Sequence, residues 1–209
     1  MTPEQEEALQ ALKEKHGRIL YEELDEEDGG HVIAYRYPTR EERREYLAAR
    51  AHEETSGVAE EMILRKLVVY PPPQERAQIF DALSALSTSI FGNAKAAAGD
   101  SLTKAPIPAS VEAEIDAFRE KYPKLAVLNF GDAGVVACRP ATPQEFSKWK
   151  ASRRAEEGEG KADDELAERC TVYPDNPAAL FDQFAWIPVH VANAVCAKSG
   201  ASKREVKKF

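Results

Sequence analysis

The side chains that most often do chemistry are scarce in this sequence of 209 residues, which has four histidines and three cysteines. A zinc site is usually visible as pairs of ligands about two to five residues apart. No cysteine or histidine pair has that spacing, and His190 and Cys196, six positions apart, would lie on different faces of a helix. A Cys-His nucleophilic pair would need a third group to orient the histidine, and none is recognisable. We therefore expect structural roles for these side chains, with no catalytic residue, no metal ligand and no cofactor.

Two runs of like charge could bind ions or charged partners. The acidic run at residues 22–28 lacks the ligand spacing and glycine of an EF-hand loop, so a solvated hairpin tip explains it better. The basic run at residues 203–208 could contact an acidic partner or nucleic acid, although charged chain ends are usually only solvated. Because the net charge is −8, we expect neither nucleic acid nor a membrane surface as the main partner.

Composition indicates a soluble globular protein, with 43% hydrophobic and 31% charged residues. No apolar run approaches the roughly 18 residues that a membrane-spanning helix needs, and the first ten residues are acidic, unlike a secretory signal. The cysteines are odd in number and widely spaced, which does not indicate a disulfide framework. We expect a protein of a reducing compartment, the cytoplasm.

Two halves of the chain match each other in order. The match is clearest where Thr39 and Glu42 correspond to Thr142 and Glu145. Further matches join residues 11–16 to 117–122, residues 69–71 to 172–174, and residues 79–81 to 180–182. The alternative is that helix caps and Tyr-Pro helix ends recur in unrelated helical proteins, but four matches in one order favour an internal duplication.

The duplication predicts two tandem units. We expect a first repeat unit at residues 1–99, a linker at 100–110, a second repeat unit at 111–200 and a basic tail at 201–209. The linker contains Pro106 and Pro108, which suit a connecting segment rather than a core element. The first 100 residues carry the whole net charge of −8, whereas the remainder is neutral and contains both tryptophans.

Each unit is predicted to be an α+β fold with a helix, a β-hairpin and three to four following helices. Thr2 and Gln5 form a capping box that begins the first helix. The hairpin strands are expected at residues 19–24 and 31–36 in the first unit, and at residues 125–130 and 135–139 in the second. Thr39 and Thr142, each followed three residues later by glutamate, predict the start of the next helix.

The later part of each unit is predicted to be helical. A third helix is expected to end at Tyr70-Pro71 in the first unit and at Tyr173-Pro174 in the second, because proline cannot continue a helix. Residues 75–98 and 177–199 are expected to form two short helices each.

An excess of large apolar side chains distinguishes the second unit. Around a predicted helix break, residues 181–191 carry several aromatic residues where the first unit is more polar. Most of them are expected in the core, because large aromatic side chains are usually buried. The alternative is a partner-binding surface. The candidate residues for it are Trp149, Phe184, Trp186, Ile187 and Val189.

The order of these signals resembles that of a known family. The signals are a first helix ending in Lys-His-Gly or Lys-Tyr-Pro, a hairpin ending in arginine, the pattern Pro-Thr-x-x-Glu, a helix ending in Val-Tyr-Pro, and Ala-Asn-Ala-Val-Cys-Ala-Lys-Ser-Gly at residues 192–200. In this order, they look like those of the small tail assembly chaperones of tailed bacteriophages. That resemblance implies a non-enzymatic factor that binds the tape measure protein, the tail tube protein or both in the host cytoplasm during tail morphogenesis. The family's members are usually single units, so the tandem form here is a departure.

Two other functions remain open at this point. The chain could be a structural virion subunit, an adaptor in the neck, tail or baseplate that stays in the particle. An enzyme would need a positioned nucleophile, base, phosphate loop or metal cluster, and none is visible. Sequence does not decide which surface binds a partner or whether the protein forms an oligomer.

Overall fold

The computed structural model describes residues 1–25, 30–83, 85–154 and 158–201. The chain divides into two compact units, Met1–Ala98 and Gly99–Phe209. Each unit combines helices with a three-stranded antiparallel sheet, so the predicted α+β class is confirmed. The basic tail after residue 201 and most of the acidic hairpin tip, residues 26–29, lie outside the described residues.

In the first unit, the sheet has the strand order β1-β2-β3 and helices follow the hairpin. The elements are α1 (Pro3–His16), β1 (Ile19–Glu23), β2 (Val32–Arg36), α2 (Arg40–Ala51), α3 (Glu53–Ser56), α4 (Ala59–Leu67), β3 (Val68–Tyr70), α5 (Pro73–Ala82) and α6 (Leu86–Lys95), followed by a π-helical turn, Ala96–Asp100.

The second unit has a sheet of order β4-β5-β6. Its elements are α7 (Ala109–Lys121), β4 (Ala126–Asn129), a 3₁₀ turn (Gly131–Ala133), β5 (Val135–Cys138), α8 (Pro143–Arg153), α9 (Gly158–Cys170), β6 (Thr171–Tyr173), α10 (Pro177–Gln183) and α11 (Ile187–Cys196), followed by a π-helical turn, Ala197–Ala201. Apart from the short α3 and the 3₁₀ turn, the described elements follow the same order as in the first unit. That shared order agrees with the predicted duplication, which stays a prediction.

Both hairpins form where two short apolar segments, separated by a polar stretch that contains glycine, predicted them. Ile19 pairs with Arg36 at the open end of the first hairpin, and Ala126 pairs with Cys138 in the second. The middle strand is the most buried strand of each sheet, because its two faces are both covered. Two short helices close each unit as expected, α5 and α6 in the first and α10 and α11 in the second.

The third strand of each sheet was not expected from sequence. The helix predicted to reach Tyr70-Pro71 ends at Leu67, and Val68–Tyr70 pairs with β2; likewise α9 ends at Cys170 and Thr171–Tyr173 pairs with β5. The β-branched residues at these positions favour an extended backbone, and pairing with the middle strand satisfies their peptide groups. Both Tyr-Pro bonds are cis.

The predicted helix starts are confirmed in detail. The side chains of Thr2, Thr39 and Thr142 each accept a hydrogen bond from a backbone N–H in the first turn. The side chain three positions further on accepts a hydrogen bond from the backbone N–H of the threonine. These boxes satisfy N–H groups that a helix otherwise leaves without partners. They fix where α1, α2 and α8 begin.

Thr103 and Ala105, from the predicted linker, belong to the second unit and lie beside the end of β4. The backbone N–H of Thr103 donates to the carbonyl of Asn129 at 2.9 Å, and Asn129 Nδ2 donates to the carbonyl of Ala105 at 3.0 Å. These bonds attach the segment to the end of β4. The last two residues expected in the linker, Ala109 and Ser110, form the first turn of α7.

The largest apolar core of the second unit lies between its sheet and α9, α10 and α11. Its centre contains Phe181, Ile187, Val191 and Val195, with exposures near zero. A smaller cluster on the other side of the sheet includes Ile115 from α7. The sheet is therefore covered on both faces.

Candidate protein-binding surfaces

Of the five residues predicted to bind a partner, three are enclosed by the protein. Phe184 is 7% exposed, Trp186 3% and Ile187 0%. Phe184 and Ile187 belong to the main core of the second unit, so for these two side chains the core role that the sequence also allowed is the observed one. Val189 is half-buried on α11. Of the five candidates, only Val189 and Trp149 are partly exposed, so a partner can contact these two without displacing core side chains.

Trp149 lies on α8 and is held by polar and aromatic neighbours. Its Nε1–H donates to Asp163 Oδ1 at 2.8 Å, while the ring packs beside Phe146, with centroids 5.3 Å apart. The guanidinium of Arg153 stacks over the ring at 5.0 Å. A shallow depression between α8 and α9 exposes one edge of Trp149 next to Lys148. Trp149 thus combines a structural hydrogen bond with an accessible surface.

The Thr-x-x-Glu pattern positions an ion pair that sequence reasoning did not foresee. Arg139 donates to Glu145 from Nη1 at 2.9 Å and from Nη2 at 2.8 Å, and Arg36 forms the corresponding two-bond pair with Glu42. The same carboxylates accept the backbone N–H of Thr142 and Thr39. We call this arrangement the Arg-Glu-Thr lock; it joins the middle strand to the helix that follows it in both units.

The lock changes the acidity of its carboxylates. Hydrogen bonds from Arg139, aided by those from Thr142, lower the pKa of Glu145 to about 2. Burial opposes ionisation of Glu42, but hydrogen bonds from Arg36 and Thr39 outweigh it and lower its pKa below the ordinary value. Both carboxylates are therefore ionised and bonded at neutral pH, which suits a structural role and leaves them without a proton to transfer.

A large groove lies on the first unit, between α4 and α5 and beside the start of α6. Its apolar residues are Leu64, Val68, Pro73, Ala77 and Phe80, and its charged residues are Glu60, Glu61, Arg65, Arg76 and Asp81. We call it the α4–α5 groove. It was missed from sequence because the residues come from three elements whose packing brings them together.

A second apolar cleft lies on the second unit. It is bordered by Pro106 and Pro108 from the connecting segment, by the cis Tyr173-Pro174 pair, and by Leu180 from α10. It offers few charged or catalytic groups. Its chemistry suits an apolar chain segment more than a polar small molecule.

The cysteines are held as thiols in apolar surroundings. Cys138 and Cys170 are buried in the core of the second unit and Cys196 is half-buried beside it; all three are free. Burial raises the pKa of Cys138 to about 12 and those of Cys170 and Cys196 to about 11. Thiols that ionise so poorly are weak nucleophiles and weak metal ligands.

Another titratable arrangement is a His-Asp contact in the second unit. His190 Nε2 lies 3.0 Å from Asp100 Oδ1, and its ring packs 5.9 Å from that of Phe130. Within the residues that the structure describes, no group of three or more histidine, cysteine, aspartate or glutamate side chains could hold a metal ion. Within the same residues, no helix combines the length and the apolarity needed to cross a bilayer.

Comparison of the chain with known protein families, with curated proteins and with solved structures gives no match. The case for function therefore depends on the surfaces described above and on the order of elements in the two units.

Proposed function

We propose that the protein is a non-enzymatic assembly chaperone that binds the tape measure protein, the tail tube protein or both during the assembly of a phage tail. The observation that carries the proposal is the order of elements that the resemblance implies, a helix, a hairpin, a capped helix and further helices, which each unit follows. Both units also have the Arg-Glu-Thr lock, formed by Arg36 and Glu42 in one and by Arg139 and Glu145 in the other. A duplicated unit with helix-lined surfaces suits a long, repetitive protein partner.

The mechanism is the shielding of apolar partner segments until assembly begins. An amphipathic helix docks in a groove through side chains spaced three and four residues apart, and its apolar face is kept from water. Two linked units raise the effective concentration of the second contact once the first is made. In the first unit, Arg76 of α5 donates to the carbonyl of Arg65 on α4, so the two helices that border the α4–α5 groove are joined before a partner arrives. Less ordering is then required on binding.

Co-expression tests the proposal. A candidate tape measure protein is produced alone, with the tagged wild-type protein, and with an unrelated tagged protein of similar size and acidity. We expect the tape measure protein to be more soluble with the wild-type chain and to co-purify with it. Failure to co-purify, with unchanged solubility of the tape measure protein, would overturn the proposal.

The virion-subunit alternative is separated by a second measurement. Mass spectrometry of purified particles detects a retained adaptor in fixed stoichiometry to the other tail proteins. We expect the protein in infected cells and its absence from mature particles, in keeping with a transient chaperone in the host cytoplasm.

A further inference from the structure

The last helix of the second unit is covered at its start by the first two residues of that unit, Gly99 and Asp100. A Cβ at Gly99 would lie 2.5 Å from Ile187 Cγ1 and 3.4 Å from Phe184 Cβ, so the backbone is in close contact with both. Asp100 Oδ1 lies 3.0 Å from Nε2 of His190, one turn further along α11. Gly99, Phe184 and Ile187 are all buried. We call this arrangement the Gly99 contact.

The same kind of turn recurs at the end of α11. The π-helical turn Ala96–Asp100 follows α6, and the turn Ala197–Ala201 follows α11. Gly200 has the same position in its turn as Gly99, with a φ of +91° against +90°. Gly99 is buried, whereas Gly200 is exposed. The second turn therefore has the backbone of the turn in the Gly99 contact and is open to solvent.

The first unit exposes the surface that such a turn would cover. Helix α6 occupies the place of α11 in the element order, so Leu83 and Leu86 correspond to Phe184 and Ile187. Both leucines are half-buried, whereas Phe184 is 7% exposed and Ile187 0%. Ala85, between the leucines, is exposed. We call Leu83, Ala85 and Leu86 the α6 patch.

Each chain thus carries an exposed turn and an exposed patch of the two kinds that meet in the Gly99 contact. A second copy of the chain supplies the missing half of each. A contact between unlike surfaces of identical chains is head-to-tail, and it builds a ring or an open row of subunits.

Charge favours the same pairing. The first 100 residues carry a net charge of −8, and Asp81, near the α6 patch in sequence, is exposed. Lys198 is exposed in the turn after α11, and residues 203–208 contain four basic side chains and one acidic one. Unlike charges at the two ends attract each other, whereas two acidic ends repel.

We propose that the protein associates head-to-tail with further copies of itself, with the turn Ala197–Ala201 of one copy covering Leu83 and Leu86 of the next. The occupant of the α6 patch follows from the Gly99 contact, in which a turn of the same backbone covers the corresponding residues. The inference does not rest on the proposed function, because self-association is a property of this chain alone.

Sedimentation velocity of the purified full-length protein over a range of micromolar concentrations measures the association. We expect the weight-average mass to rise with concentration beyond that of a dimer, and to fall when salt is added. A mass that stays at that of the monomer at every concentration would overturn the inference.

Two variants change the two halves of the contact separately. Leu86→Lys places a charge in the α6 patch, and Gly200→Val puts a branched side chain where the backbone must approach closely. Each should weaken self-association at least about tenfold. The controls, Gly92→Lys on α6 and Ala197→Val in the turn, change positions that are exposed in both units, and should stay within about twofold. Circular dichroism and thermal melting check that each variant is folded.

A mixture of the two variants tests the head-to-tail arrangement. Leu86→Lys retains the turn and Gly200→Val retains the patch, so the mixture should form one-to-one dimers although neither variant associates alone. A mixture that stays monomeric, or folded variants that associate like the wild type, would contradict the proposed contact.

The His-Asp pair of the Gly99 contact allows a gain-of-binding test. In the repeat alignment, Ser89 and Ala201 stand at the positions of His190 and Asp100. The double variant Ser89→His with Ala201→Asp copies that pair to the two surfaces and should tighten self-association about threefold to tenfold. Each single substitution should change it less than about twofold. Absence of any tightening in the double variant would rule out the proposed position of the turn.

A photocrosslink identifies the occupant. A benzophenone side chain at position 86 should crosslink to a peptide that contains Gly200. In a mixture of isotopically light and heavy protein, crosslinked pairs of one light and one heavy peptide show that two copies are joined. Pairs of a single label only, or crosslinks to another part of the chain, would contradict the proposed occupant.

Discussion

Arg139 and Glu145 are joined by two hydrogen bonds, from Nη1 to Oε2 at 2.9 Å and from Nη2 to Oε1 at 2.8 Å. Arg139 follows the last residue of β5, and Glu145 lies in the first turn of α8. Arg139 also donates to the carbonyl of Arg169 at 3.0 Å, near the end of α9. One guanidinium therefore connects a strand to two helices, and bidentate geometry makes the pair more specific than an ordinary surface ion pair.

Acid should weaken the second unit through Glu145. Its pKa is lowered from 4.5 to about 2 in the folded protein, chiefly by Arg139, so its stabilising effect is complete above the unfolded value and is lost as pH falls from about 4.5 to about 2. Glu145→Gln should lower the free energy of unfolding by about 1 to 2 kcal/mol at neutral pH, a figure reduced for solvent screening.

Urea unfolding at a series of pH values measures this effect. The stability of Glu145→Gln should fall less steeply than that of the wild type between about pH 5 and pH 2, since the variant has no carboxylate to protonate at this position. Glu114→Gln, on an exposed face of α7, is the matched control and should follow the wild type. Parallel curves for the wild type and Glu145→Gln would contradict the role given to the lock.

Gly99 should be intolerant of any side chain. Its φ is +90°, and a Cβ there would lie 2.5 Å from Ile187 Cγ1, inside the core of the second unit. Gly99→Ala should destabilise the protein by about 2 to 4 kcal/mol, through a strained backbone and overpacking. Gly92 lies on an open face of α6 with nothing within 4 Å of such an atom, so Gly92→Ala should leave stability unchanged or raise it by up to about 1 kcal/mol. Equal melting temperatures for the two variants would contradict this packing.

The three thiols should react slowly with alkylating agents in the native protein. Because burial raises their pKa values to about 12 and about 11, their thiolate fractions near pH 8 are tiny, and modification by iodoacetamide should be at least about 100-fold slower than for free cysteine. Half-buried Cys196 should react before Cys138 and Cys170. In denaturant, all three cysteines should react at the rate of free cysteine. Native Cys138 reacting at the rate of free cysteine would show that it is not buried as described.

The two tryptophans should differ in their access to solvent. Trp186 is 3% exposed, whereas Trp149 is half-buried with one edge facing water. Acrylamide should therefore quench the fluorescence of Trp186→Phe, which retains Trp149, several times more strongly than that of Trp149→Phe. The reverse order would indicate that Trp186 is the accessible side chain and would restore it as a partner-binding candidate.

Local signals in the sequence were enough to locate most elements. The capping boxes at Thr2, Thr39 and Thr142 fixed three helix starts, and short apolar segments on either side of a glycine-containing turn located both hairpins. The strands β3 and β6 could not be found in this way, because three residues at the end of a helix are too few to show a period. Their pairing partners are distant in sequence, and tertiary contact decides their conformation.

The binding surfaces were harder to predict than the elements. Composition identified the large apolar residues at 181–191 but could not tell a core from a contact surface, since both favour aromatic side chains. Phe184 and Ile187 belong to the core. The α4–α5 groove depends on how α4, α5 and α6 pack, and sequence periodicity reports one element at a time.

Binding to the tape measure protein is the property on which the proposed function depends. Sedimentation velocity of the two purified proteins, alone and mixed at micromolar concentration, measures it without tags or surfaces. We predict a boundary in the mixture that sediments faster than either protein alone and contains both chains. Two independent boundaries in the wild-type mixture, each at the position of the protein alone, would contradict the proposal that this chain is a tail assembly chaperone.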